Sequence, residues 1–147
     1  IGVGEGCVMA AHWAARDWNW PTVGRIKQGR DVKGLIFISP TKQAKGVPID
    51  PIFSGRSVLL QLPIMVVSGT DSPNAEDAER IAKRIEASKK KLQRGGEVKG
   101  FEYKQYNTAL MNASLVKDIP AVIPAITKFI ETEVKMSDTW NPWVSRK

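Results

Sequence analysis

The sequence predicts an α/β fold: a mainly parallel sheet inside a three-layer α/β/α arrangement. Three observations predict it. Two short runs, Gly34 to Pro40 and Pro63 to Ser68, are apolar without alternation. A strand with no polar face is covered on both sides, as strands of parallel sheets are. Segments of helical periodicity lie between and after these runs, so strands and helices alternate along the chain as crossover connections require. The 147 residues, 42% of them hydrophobic, suffice for one domain with a real core. Residues 1–147 are therefore read as a single domain, with a tail over 136–147.

Ile1 and Val3 form an apolar start that runs into the Gly-rich corner Gly4-Glu5-Gly6. Residues 7–19 carry helical spacing, with Ala10, Trp13, Ala14 and Trp18 on or near one face, and Pro21 ends the run. Residues 22–33 are polar and basic and read as a loop. Gly34 to Pro40 is the first buried strand. Residues 41–54 hold Gly46, Pro48 and Pro51 and read as an irregular excursion, followed by a short helix over 55–61. Pro63 to Ser68 is the second buried strand, and Gly69 to Pro73 a loop in which Ser72 suits an N-cap and Pro73 the first helical position.

That helix is predicted to reach about Leu92, with Ala78, Ile81, Ala82, Ile85 and Leu92 inward. Glu76–Arg80, Glu79–Lys83 and Glu86–Lys90 are i,i+4 pairs in the favourable order, and Gly95-Gly96 stops the helix. Phe101 to Tyr106 alternates imperfectly, which suggests a strand nearer the sheet edge. Ile119 to Val134 is predicted to be a final amphipathic helix, with Val122, Ile123, Ile126, Phe129, Ile130 and Val134 on its apolar side. The tail carries Trp140 and Trp143 on a polar background.

Composition narrows the function classes. The net charge is +7 and the pI about 9.7. The cations are spread: Lys27, Arg30 and Lys33, then Lys42 and Lys45, then Lys89-Lys90-Lys91 and Arg94. Aromatics do not interleave with them as a base-stacking platform requires, so they read as a solvated basic surface rather than a nucleic-acid face. No apolar run reaches the roughly 18 residues of a membrane helix. The lone Cys7 leaves no internal disulfide, and nothing in the sequence assigns a compartment. His12 is the only imidazole, and without a Cys/His cluster no metal site is expected. Gly2-x-Gly4-x-Gly6 resembles a nucleotide loop only in part. The dinucleotide fingerprint needs its third glycine where Cys7 stands, and Glu5 would set a negative charge where phosphate belongs. No cofactor is expected.

The strand–corner–helix Gly4-Glu5-Gly6-Cys7-Val8 has the layout of a nucleophile elbow, Gly-x-Ser-x-Gly, with Gly6 at the tip. Together with Val32 to Pro40, Leu62 to Asp71, Phe101 to Tyr106 and the closing helix, it resembles the C-terminal half of an α/β-hydrolase domain. The likeness is greatest to uncharacterised bacterial hydrolase-like proteins whose elbow reads Gly-Glu-Gly. The resemblance implies a nucleophile position at Gly6, an acid position at Asp71 and a histidine in the loop 107–113. Gly6 has no side chain and the loop has no histidine, so no catalytic triad is intact. Val8 also replaces the second elbow glycine. Two residues keep other readings. Cys7, at a helix start, is a candidate reactive thiol but lies beside Glu5 and has no histidine in the loop 107–113 to act as base. Asp71 can cap its turn or contact a ligand at the strand end.

The leading expectation is a catalytically degenerate hydrolase-like protein with a binding or scaffolding role. The alternative is an active ester hydrolase that relies on a missing N-terminal half, and the third is a basic nucleic-acid-associated domain. The sheet starts at the elbow strand, so the expected partner is that N-terminal half or a second copy.

Overall fold

In the computed structural model, which describes residues 1–20, 31–94 and 97–136, four parallel strands lie side by side in chain order. They are β1 (Gly2–Val3), β2 (Leu35–Ile38), β5 (Ile64–Gly69) and β6 (Phe101–Tyr106). The central pair is buried throughout, and its side chains alternate between two cores. Leu35, Phe37, Ile64 and Val66 join one apolar cluster. Ile36, Ile38, Met65 and Val67 join the other. The continuous apolar runs of the sequence thus serve two faces at once.

The first face carries all the crossovers: α1 (Gly6–Trp18), α2 (Pro51–Ser54) with α3 (Arg56–Gln61), and α4 (Ala75–Leu92). A sheet that grows in one direction with connections of one hand puts every crossover on the same side. Among the described residues, the second face is covered by chain that follows β6. It is covered by α5 (Asn112–Asp118), α6 (Val122–Phe129) and a π-helical turn (Ile130–Val134), which bring in Leu115, Val122, Phe129 and Val134.

Several elements depart from expectation. The buried face of α1 is Cys7, Val8, Ala11, Ala14, Ala15 and Trp18, while Trp13 is 69% exposed. Small alanines let the helix lie close to the sheet and leave no room there for a second indole. The excursion over 41–54 holds a hairpin, β3 (Gln43–Ala44) and β4 (Val47–Pro48), as well as α2. Lys45 and Gly46 are both left-handed there, as a type I′ turn requires. Helix α4 starts at Ala75, not at Pro73: the expected cap Ser72 does not cap it, and neither does Asn74, which stands at the observed cap position. Ser72 Oγ lies 2.9 Å from the Gly69 carbonyl, and Asn74 donates its amide to the Ser39 carbonyl. Of the three predicted ion pairs on α4, Glu76–Arg80 and Glu79–Lys83 form, and Glu86–Lys90 is not among those made by the described residues.

The expected helix over 119–134 is broken at its start. A residue before proline is pushed toward extended backbone, and Ile119 before Pro120 has φ −106° and ψ 100°. Pro124 sits in the first turn of α6, where its missing N–H costs nothing. Near its end the chain widens, and Lys135 N–H reaches Ile130 O at 2.9 Å. This turn sets Phe129 and Val134, five residues apart, both in the core, whereas Ile123 is 57% exposed. The expected stops at Pro21 and Gly95-Gly96, and Trp140 and Trp143 of the tail, lie outside the described residues. Leading into β2, Val32 is clasped at both ends: its N–H donates to Asp17 Oδ2 at 3.0 Å and its carbonyl accepts from Trp18 Nε1 at 2.9 Å.

One charge of the run 89–91 points inward. Lys89 occupies the inner face of α4 one turn past Ile85 and is fully buried, its Nζ donating to the Leu62 carbonyl at 2.9 Å. Burial lowers its pKa from 10.5 to about 8, against the pull of Glu133 in the other direction. Between these two values the unfolded chain holds a proton that the folded chain has released, so stability rises with pH across that window. The wild type is expected to gain stability relative to Lys89→Met from about pH 8 to 10.5. Urea midpoints at matched pH check this, and tyrosine titration, common to both proteins, drops out of the difference. Curves that stay parallel would mean the ammonium is solvated.

Candidate functional site

The C-terminal ends of the strands bring four loops together, at the edge where open α/β sheets receive ligands. The chain leaves β1 at Gly4, whose N–H continues the ladder to the Ile38 carbonyl at 2.9 Å and whose φ is +55°. The Cys7 N–H returns to the Gly4 carbonyl at 3.1 Å, and α1 begins at Gly6. The helix is seated directly on the strand: a Cβ on Gly2 would stand 2.5 Å from Cys7 Cα. A Cβ on Gly4 would stand 2.6 Å from Asn112 Oδ1. Both positions therefore need glycine, Gly2 for close approach and Gly4 for its turn and its neighbour.

Asn112 opens α5 in the left-handed region, φ +57°. Its N–H donates to Ser39 Oγ at 2.9 Å, while its Oδ1 is buried without a hydrogen-bond partner. Ser39 directly follows β2, is fully buried and is itself left-handed, φ +51°. Its N–H donates to the Val67 carbonyl at 2.8 Å, and its carbonyl accepts from Asn74 Nδ2, which also lies 3.4 Å from the Pro40 carbonyl. A non-glycine residue in this region costs on the order of 1–2 kcal/mol, less for Asn, and persists where its surroundings fix it. Here three left-handed residues, Gly4, Ser39 and Asn112, meet at one point and are fixed by hydrogen bonds from β2, β5 and the β5–α4 loop.

Beside this cluster the ends of β5 and β6 stay paired, with Thr70 N–H to the Tyr106 carbonyl at 2.9 Å and Asp71 N–H to the Thr108 carbonyl at 3.1 Å. Asp71, Thr70 and Asn107 are exposed, and Thr70 Oγ1 lies 3.4 Å from Asn107 Oδ1.

The residues singled out from the sequence separate. Gly6 is exposed, and a Cβ there would meet nothing within 4 Å. It is already helical, so the sharp turn falls two residues earlier, at Gly4. Cys7 is wholly buried in the first core, its Sγ 3.6 Å from the Ile38 carbonyl. Desolvation raises its pKa to about 12, which keeps the thiol protonated and inert at neutral pH. His12 lies about 9 Å farther along the helix axis than Gly6, with Nε2 2.8 Å from the Pro48 carbonyl of the hairpin. Among the described residues no group of three or more His, Cys, Asp or Glu could hold a metal. Gly4, Ser39, Asn74 and Asn112 were not foreseen. The frame Gly2-Val3-Gly4-Glu5-Gly6, with glycine on both flanks, was the available signal for the first. Asn112 lay inside the loop read only for its lack of histidine. Comparison with protein-family models, curated proteins and solved structures returns no match to this chain.

Two outcomes are expected. Gly4→Ala should destabilise the protein by about 2 kcal/mol or more, through the left-handed backbone and the overlap with Asn112. Asn112→Gly should recover part of that loss in the double variant, measured by urea melts, and strict additivity would show that the two do not touch in solution. Cys7 should react with a thiol reagent only at the rate of unfolding. Modification at the rate of a free cysteine peptide would contradict its burial.

Proposed function

We propose that this chain is a non-catalytic α/β-hydrolase-like protein that uses the C-terminal edge of its sheet to bind rather than to cleave. One observation carries the reading: at the strand–turn–helix corner, the residue at the turn is Gly4, and the carboxamide of Asn112 fills the space its side chain would need. In this reading the elbow is Gly2-Val3-Gly4-Glu5-Gly6, with its tip at Gly4 and a glycine on each flank, two residues earlier than the frame centred on Gly6. Asn112, after β6, stands at the place of the base. An amide does not titrate near neutral pH and cannot take a proton from a nucleophile. Asp71, after β5, keeps the acid place with nothing to orient. The sequential parallel order of the strands and the helices on both faces support the three-layer, hydrolase-like form of the proposal.

Exposed Thr70, Asp71 and Asn107 are the hydrogen-bonding groups that this edge offers a ligand. Asp71, and Glu5 beside the turn, work against a phosphate and favour a polar neutral or cationic molecule.

Serine hydrolases that lose nucleophile or base lose most of their rate. The protein is therefore expected to show no saturable turnover of p-nitrophenyl acetate and no labelling by a fluorophosphonate. Gly6→Ser, which meets open space, should fold and remain inactive, since a hydroxyl without a base is a weak nucleophile. Saturable turnover in the wild type that disappears in Asp71→Asn would overturn the proposal.

A further inference from the structure

The outer face of α1 carries an exposed stripe that touches the strand-end site only at Glu5. Glu5 (the cap residue, in helical conformation), Met9, Trp13 and Arg16 follow one another at spacings of three or four residues, and all are exposed, as is Trp20 just past the end of α1. Residues so spaced share one side of a helix. Met9 is 68% and Trp13 69% exposed, side by side in the middle of the stripe. Arg16 lies over the Trp20 ring, 5.4 Å from its centroid. Trp, Met and Arg are residue types enriched at interfaces, and Trp and Arg are frequent energetic anchors.

The charges tell which partner fits. The stripe is acidic at its N-terminal end, apolar in the middle and basic toward its C-terminal end. Turned end for end, it is complementary to itself. In an antiparallel pair of such helices, Glu5 of one copy faces Arg16 of the other, and Met9 faces Trp13. These pairings share one centre, near the middle of the helix, as a two-fold axis requires. Antiparallel packing also sets the helix dipoles head to tail.

We propose that the outer face of α1 is a homodimer surface, through which two copies of this chain pack α1 against α1 antiparallel about a two-fold axis. The occupant of the stripe is a second copy, and the proposal is independent of the reading of the strand-end site.

Sedimentation equilibrium of the whole chain, with circular dichroism to confirm folding, tests it. A concentration-dependent dimer is expected. Trp13→Asp, at an exposed position, should weaken it by roughly tenfold or more. Glu5→Arg and Arg16→Glu should each weaken it by placing like charges opposite one another, and the double reversal should restore most of the affinity. The rescue separates a designed pairing from general loss of structure. A monomer at all concentrations overturns the proposal, as it would if the stripe served only another partner. So does a dimer indifferent to Trp13→Asp and to the charge reversals.

Discussion

Everything else in this fold is arranged around the pairing of β2 with β5. Both strands are hydrogen-bonded along both edges and buried on both faces, so neither can slip without moving four neighbours. A shift of one residue would exchange the two cores, turning Phe37 toward α5 and α6 and Ile38 toward α1. The side chains differ enough in volume that such an exchange would leave cavities on one face and overlap on the other. Register here is therefore fixed by packing, and the loops at the strand ends inherit fixed positions from it.

The strand-end cluster follows from that rigidity. Ser39 is held left-handed because its N–H still belongs to the ladder with Val67 while its carbonyl is taken by Asn74. The same hydroxyl then receives the N–H of Asn112 and determines where α5 begins. Gly4, drawn in by the Ile38 carbonyl, completes the contact. Backbone strain at these points is local, while the groups that sustain it belong to the most buried part of the molecule. Polar groups at the bottom of the sheet play a simpler part: Lys89 ties α4 to the segment before β5 through one carbonyl.

Much of this was legible in the sequence, for physical reasons that can be named. Leu35 to Ile38 and Ile64 to Val67 could be read as strands because burial on two faces leaves an unbroken apolar run. Helix α4 could be read because its inner face repeats at helical spacing, although its start could not: Ser72 and Asn74 have the chemistry of caps, and only tertiary contacts divert them. Trp13 misled because size suggests burial, whereas the alanines on the other side of α1 are what close approach demands. The break before α6 had a local cause in Pro120, but α5, a short helix set by Ser39 some seventy residues away, had none. At the site the glycines were visible and their frame was not, because the choice between Gly4 and Gly6 depends on where the strand stops. Asn112 matters through a contact with Gly4, and a single sequence carries no record of such pairs.

The two faces of the sheet also have different histories. Each strand pairs with the one made just before it, and each crossover brings its own helix to the first face. The second face has no such provision. Among the described residues, Ile36, Ile38, Met65 and Val67 are covered by residues 106–134. During synthesis, which proceeds from the N-terminus, each crossover helix of the first face follows its strand closely, while the cover that residues 106–134 give the second face comes only with and after β6.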